Sequence, residues 1–472
     1  MVVRDWGMAR AEEETANEAR LWGCDLRLRR SLTVVMLPVP SQSHLNQLLH
    51  LAVLIFSATT LPVHFLGSAT HNRQVKLRHY PNPNPNHIHF HDFPTPPIPT
   101  PDPDPSPNKT PNHLGLSMAA YTALRHPIAT LIQKMSTETK KKVLIYNRLI
   151  AKAVEDSVSI PNVESYAFNC LLAFNLFHIL REYSLTTKPF PLKVDENLSF
   201  SVRDFYPLEF INYIVSRPEH FKNRARDIHN TSRLVGGENV DLLAREEIIG
   251  GESQQWAICP MLGSKKVADC DESGARARRR HTCLDWLDGQ ARGSVLYVSF
   301  GTTISLSGEE AREIALGLES YGFRKIIELP EGFEERVKGA GIRLVVRDWA
   351  PQVEILAHEA TGGFLTHCGW NSCFESLMTG VPVLAWPMHT DQSINAIFMT
   401  KVLKTGLVAR DWEKREELVR ARVVKDAVGR LMAAGEEGDD IRRRAAEIGV
   451  AIQKAAASVV GSWRGSLSIL VR

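Results

Sequence analysis

The chain has 472 residues, which at ~100–200 residues per domain implies two or three domains. Its 56 Lys and Arg stand against 53 Asp and Glu, so the net charge of +3 lacks the basic excess with which a dedicated nucleic-acid binder neutralises phosphates. A hydrophobic fraction of 44% beside 23% charged residues is that of a folded globular protein and excludes bulk disorder. The seven cysteines (Cys24, Cys170, Cys259, Cys270, Cys283, Cys368, Cys373) are scattered without a CxxC pair, which argues against a disulfide framework or a zinc site. No window offers ~18 uninterrupted apolar residues, and the first 30 residues carry Glu12, Glu13, Glu14 and Glu18 in place of an apolar signal core. The expectation is a soluble cytoplasmic protein with no membrane, nucleic-acid or metal partner.

Residues 1–30 are charged and Ala-rich and read as an N-terminal extension. Residues 32–37 (Leu-Thr-Val-Val-Met-Leu) are an apolar, β-branched run that suits a buried parallel strand. Leu45, Leu48, Leu49 and Ala52 then recur at helical spacing, and residues 62–66 form a second strand, which completes a βαβ unit. Between Pro81 and Asn112 lie 12 of the 26 prolines, interrupted by the strand-like residues 88–93; this stretch predicts a long, stiff loop. A helix over 114–136, a strand at 143–146 and further βα alternation carry a first domain over 31–258. Residues 259–281, with Gly263, Ser264, Gly274 and an Arg cluster, have linker composition.

A second βα series over 282–450 opens with a strand at 294–300, turns at Gly301-Thr302-Thr303 and enters a helix over 308–320. Strands at 343–347, 363–366 and 381–386 alternate with helices at 353–358 and 371–379. Residues 451–472 are expected to be helical and to pack back on the first domain. The fold class is α/β, with two halves and a ligand cleft between them.

One segment concentrates the chemistry: Trp349-Ala350-Pro351-Gln352, Thr366-His367-Cys368-Gly369-Trp370-Asn371-Ser372, Glu375, and Trp386-Pro387-Met388-His389-Thr390-Asp391-Gln392. His367 stands at the C-terminal end of a strand, Gly369 gives a tight turn, and Asn371 or Ser372 is placed to cap the next helix. The free N–H groups and dipole of that helix start form an anion site, to which His367 adds a donor. Glu375, one turn beyond Asn371, suits a ribose diol. Asp391 and Gln392, just past a buried strand, can hydrogen-bond sugar hydroxyls, and Trp349 offers a flat face for a base.

The run from Trp349 to Gln392, 44 residues long and unbroken, resembles the signature box of the plant secondary-product UDP-glycosyltransferases. Ser41-Gln42-Ser43-His44-Leu45-Asn46-Gln47-Leu48-Leu49-His50-Leu51, Thr70-His71-Asn72-Arg73-Gln74 and His229-Asn230-Thr231-Ser232-Arg233 resemble the zeatin O-glucosyltransferase subgroup, and the resemblance spans about residues 31–470. It implies two facing Rossmann-like domains in the GT-B arrangement, the first binding the acceptor and the second the UDP-sugar. It also implies inversion at the anomeric carbon, a monomer, and UDP-glucose as co-substrate with no separate cofactor. Under it, Trp349 stacks on uracil with Ala350 and Gln352 near the base and ribose, and Glu375 holds the ribose hydroxyls. His367, Asn371 and Ser372 bind the diphosphate with Thr302 and Thr303, while Trp370, Asp391 and Gln392 face the sugar. His44 matches the family's catalytic base for a small hydroxylated acceptor such as a zeatin-type cytokinin. The residues agree with that role: His44 begins a helix after the first strand, where the dipole disfavours imidazolium and keeps the ring able to take a proton.

Three departures from the family pattern stand out. Tyr146-Asn147 replaces a pair ending in Asp, so the expected catalytic pair is His44 and Asn147; an Asn carbonyl can orient the imidazole but carries no charge, which predicts weakened catalysis. A second reading is therefore a weakly active or inactive relative that binds UDP-sugar or a small hydrophobic ligand. Ser43 replaces a Gly, a change that matters where φ must be positive. Phe323-Arg324-Lys325-Ile326-Ile327 runs almost directly into Glu328-Leu329-Pro330-Glu331-Gly332-Phe333, which predicts a truncated strand beside residues 294–300, uncovered ladder groups and reduced stability. His87, His89 and His91 alternate along one strand face as metal ligands can, but read better as polar residues bordering a cleft. Asp102-Pro103-Asp104 and Asp269-Cys270-Asp271 imitate a metal-binding DxD in loop composition, and Arg276, Arg278, Arg279 and Arg280 read as a solvated charge run.

Overall fold

The computed structural model describes residues 32–77, 88–95, 120–136, 140–183, 200–206, 208–215, 225–245, 254–258, 280–301, 306–319, 324–328, 344–346 and 350–471. The expected extension 1–30, residues 259–279 of the expected linker 259–281, most of the proline-rich run, His87, both Asp-x-Asp triplets, Thr302, Thr303 and Trp349 lie outside the described residues.

Two parallel sheets organise the chain. The first contains β1 (Leu32–Leu37), β2 (Val63–Ser68), β3 (Ile88–Phe93), β4 (Lys141–Asn147), β5 (Val163–Asn169), β6 (Arg226–His229) and β7 (Gln254–Ala257), in the order β3-β2-β1-β4-β5-β6-β7. The second contains β8 (Val295–Ser299), β9 (Arg324–Glu328), β10 (Leu344–Val346), β11 (Thr361–Thr366), β12 (Val383–Ala385) and β13 (Gly406–Val408), in the order β10-β9-β8-β11-β12-β13. β1 is buried at all its positions, as a strand covered on both faces must be. Its alternating side chains divide between two cores: Val34 and Met36 pack on one side, Val35 and Leu37 on the other. The core containing Val35 also holds Tyr297 and Phe364, whose rings stack 4.9 Å apart in the second sheet, so one apolar layer runs between the halves.

The second sheet overturns the expectation of a truncated strand. β9 pairs with β8 from Val295↔Arg324 to Ser299↔Glu328 and carries β10 on its far side. Five residues suffice because β8 is itself five residues long, so its ladder is met on both sides. The helix Gln42–Thr59 follows β1, and Ser43 lies inside it without a positive φ, so the position does not require Gly. The last helix, Glu436–Val471, packs against both the helix Gln42–Thr59 and the helix Trp370–Thr379, and Gln453 Nε2 donates to the Met378 carbonyl at 2.6 Å. No helix among the described residues is long and apolar enough to cross a membrane.

Candidate active site

Each sheet reverses its strand order once, between β1 and β4 and between β8 and β11. In open parallel sheets, ligands bind outside the C-terminal strand ends at such a reversal. His44 follows β1 and Asn147 ends β4; Gly301 follows β8 and His367 follows β11. The two sets of residues singled out in the sequence therefore stand at the two switch points.

On the first, the Asn147 side chain is buried and fully engaged. Its Oδ1 accepts the Leu149 N–H at 3.0 Å, and its Nδ2 lies 2.8 Å from His44 Nδ1 and 2.9 Å from Cys170 Sγ. This corrects the expectation that the Asn carbonyl orients the ring. The Leu149 N–H claims the oxygen, so the amide nitrogen faces the imidazole. His44 is the third residue of its helix, and desolvation lowers its pKa to about 4, leaving the ring neutral at physiological pH.

At the second switch point the chain turns sharply after β11. Cys368 holds φ at 63°, a costly conformation for a non-glycine residue, and Asn395 Nδ2 pins its carbonyl at 3.0 Å. The helix Trp370–Thr379 begins at once, with Gly369 at the capping position and no side-chain cap. Neither Asn371 nor Ser372 caps it, because both already lie in its first turn. The first-turn N–H groups of such a helix have no intrahelical acceptor and point outward at an anion. His367 is wedged between two glycines: a Cβ at Gly301 (φ 75°) would lie 2.8 Å from its Cε1 and Nε2, and one at Gly369 would lie 2.5 Å from Nε2. Burial lowers the His367 pKa to about 4, against a smaller opposing effect of the Ser299 backbone.

Further along this helix, three of the expected residues converge. Gln352 Nε2 donates to Glu375 Oε2 at 2.7 Å and to Ser372 Oγ at 3.1 Å, beside the buried Ala350. Desolvation raises the Glu375 carboxyl to about 7, with the Gln352 hydrogen bond opposing. Asp391 accepts from Thr390 Oγ1 at 3.1 Å and Asn395 Nδ2 at 3.0 Å, and burial raises its pKa. The Gln392 oxygen accepts the backbone N–H groups of Met388 and His389, at 2.9 and 3.1 Å.

Two expected donor-side residues are also ties between the halves. Trp370 Nε1 donates to the Asn230 carbonyl at 2.7 Å, and the indole is almost wholly buried. Asn371 Oδ1 accepts from Gln47 Nε2 at 2.5 Å, while Asn371 Nδ2 donates to the Ser43 carbonyl at 3.2 Å. Ser43 and Gln47 flank His44 on its helix, so these bonds bring the start of that helix against the start of the helix Trp370–Thr379. The contacts that Gln47, Asn230 and Cys170 make at the site were not read from the sequence, although Gln47 and Asn230 stand in motifs quoted for the resemblance. Gln47 meets its partner across 324 positions and Asn230 across 140, and no local spacing signals such pairs. His91 Nε2 lies 2.8 Å from Nδ1 of His64, a residue of the neighbouring strand, and among the described residues no group of His, Cys, Asp and Glu is arranged to hold a metal ion.

Comparison with known proteins agrees with this layout. Residues 30–263 match the glycosyltransferase N-terminal domain family, and residues 267–421 match the UDP-glucuronosyl and UDP-glucosyl transferase family. The chain is 43% identical over 443 residues to zeatin O-glucosyltransferase of Phaseolus lunatus, covering 90% of this chain and 93% of that protein. It is 41% identical to zeatin O-xylosyltransferase of Phaseolus vulgaris over 440 residues, covering 88% and 92%. Among solved structures, Medicago truncatula UGT71G1 complexed with UDP-glucose has the same fold, with a TM-score of 0.71 at 23% identity over 94% of this chain and 98% of that one.

Proposed function

The chain belongs to the UDP-glycosyltransferase family, and from that premise we propose that it moves glucose from UDP-glucose to a hydroxyl of a small, zeatin-type acceptor. Its class is that of a UDP-dependent glycosyltransferase; sugar and acceptor are the finer reading. The observation that carries this reading is the pair of hydrogen bonds at Asn371, accepted from Gln47 and donated to the Ser43 carbonyl, which set the acceptor-side His44 helix against the donor-side helix start. The named activities of the two Phaseolus relatives support a zeatin-type acceptor and frame the choice between glucose and xylose.

In this mechanism the first turn of the helix Trp370–Thr379 and His367 hold the diphosphate, with Asn371, Ser372, Thr302 and Thr303 around it. Glu375 accepts from the ribose hydroxyls, Trp349, Ala350 and Gln352 receive the base and ribose, and Trp370, Asp391 and Gln392 line the sugar. The acceptor oxygen attacks the anomeric carbon on the face opposite UDP, so the C1–O bond to phosphate breaks as the new C1–O bond forms. That single displacement inverts C1. UDP leaves with the bonding electron pair, its charge stabilised at the helix start, and the proton of the acceptor hydroxyl passes to Nε2 of His44 when that nitrogen is unprotonated. The free, buried Cys170, Cys283, Cys368 and Cys373 support a reducing, cytoplasmic setting. A second reading, UDP-sugar binding with weak turnover, is favoured by the Asn147 amide nitrogen against His44.

An acceptor panel with radiolabelled UDP-glucose and UDP-xylose tests the reading. Glucose is expected on a zeatin-type alcohol, and His44→Ala is expected to lower that turnover by ~10²-fold or more with UDP affinity retained. UDP binding without product on any acceptor would select the second reading.

A further inference from the structure

We propose that Asn147 is a positioning residue that holds the His44 imidazole in its Nε2–H tautomer and so biases sugar transfer toward acceptors whose oxygen arrives already ionised. The proposal rests on the glycosyltransferase reading above. Three contacts fix the amide. A backbone N–H can only donate, so the Leu149 N–H, at 3.0 Å, requires the Asn147 oxygen. The amide nitrogen can only donate, so the ring nitrogen 2.8 Å away presents its lone pair. The second amide hydrogen is directed at Cys170 Sγ, 2.9 Å away. Flipping the amide would set its NH2 group against the Leu149 N–H, two donors with no acceptor between them in a buried site. A neutral imidazole whose Nδ1 accepts carries its proton on Nε2.

The consequence falls on the transfer step. With a neutral alcohol, the acceptor O–C1 bond forms, the C1–O bond to UDP breaks and the acceptor proton must leave; Nε2, already protonated, takes it only through the minor tautomer. With an acidic phenol that enters as its anion, the same two C–O bonds exchange, UDP again leaves with the electron pair, and no proton passes to the protein. Nε2–H then serves as a hydrogen-bond donor that orients the oxyanion. A carboxylate at position 147 reverses the selection: one oxygen keeps the Leu149 N–H, and the other accepts from Nδ1–H and frees the Nε2 lone pair.

The test uses the full chain and Asn147→Asp. Ring ¹⁵N shifts of His44, assigned by their loss in His44→Gln, read the tautomer without substrate, so the wild-type spectrum decides it even where the aspartate variant does not fold. We expect protonated Nε2 in the wild type and protonated Nδ1 in Asn147→Asp. Transfer from UDP-glucose at one fixed pH is then compared for 4-nitrophenol and the allylic alcohol of zeatin. Asn147→Asp is expected to raise turnover of the alcohol by about tenfold or more and to lower that of the phenol, whose oxyanion loses the Nε2–H donor. Protonated Nδ1 in the wild type, an equal gain on both acceptors, or no gain on the alcohol would overturn the proposal. A wild-type Nε2–H ring with no UDP-glucose consumed by either protein on either acceptor would overturn the glycosyltransferase reading instead, and the acceptor bias with it.

Discussion

Glu375 carries a titration that its chemistry can use. Burial lifts its carboxyl to about 7 although Gln352 donates to it. A raised carboxyl holds its proton more tightly folded than unfolded, so the unliganded protein loses stability as pH rises from the ordinary carboxylate range to about 7, and no more beyond. Ribose hydroxyls donating to Glu375 would favour its ionised form, so UDP binding at pH 6 is expected to expel a proton from this group. Calorimetric UDP titrations in buffers of different ionisation enthalpy are expected to show more proton release in the wild type than in Glu375→Gln, whose affinity falls by about tenfold. Equal release in both proteins would remove Glu375 from the ribose. For His44 the sign is opposite: its lowered pKa withdraws stability as pH falls from the ordinary imidazole range to about 4. Glu375 and Ser372 were legible because their spacing follows one helix, and Gln352, which begins the separate helix Gln352–Leu356, because it stands in the box that carries the family resemblance. The orientation of Asn147 was not, because it is decided by Leu149 and Cys170, and Cys170 arrives from the end of the next strand.

The turn from β11 into the helix Trp370–Thr379 shows what an element adds to its residues. Gly301 and Gly369 leave room for the His367 ring, and Gly301 also holds a positive φ. Gly301→Ala is expected to cost about 1–2 kcal/mol of stability from its backbone conformation alone and to push the imidazole from its seat. UDP affinity should then drop by about tenfold or more, the worth of a hydrogen bond to a charged group, as read by calorimetry beside thermal melting. Unchanged affinity would take His367 away from the diphosphate. Most strands here were legible because apolar β-branched runs mark elements covered on both faces; residues 32–37 and 88–93 match β1 and β3 end to end. The helix cap was misassigned because Asn371 is a favoured capping residue by type, yet its amide is held by Ser43 and Gln47. β9 was misjudged because missing flanks suggested a missing strand, whereas pairing needs only the five residues opposite β8.

At the scale of the molecule, polar ties between the halves among the described residues include two at the site and one away from it. Trp370 reaches Asn230, Asn371 reaches Ser43 and Gln47, and farther away Trp412 Nε1 donates to the Asp204 carbonyl at 3.0 Å. A repeated βα pattern made two α/β halves legible, but not how they face each other, since that depends on partners hundreds of residues apart. The β8/β11 switch point is expected to hold the UDP-sugar, with the β1/β4 switch point facing it. The most direct measurement is a crystal structure of the full chain with UDP. The diphosphate is expected at the first turn of the helix Trp370–Thr379 beside His367, with the ribose hydroxyls on Glu375. UDP bound elsewhere, or a diphosphate out of reach of that helix start, would contradict the account.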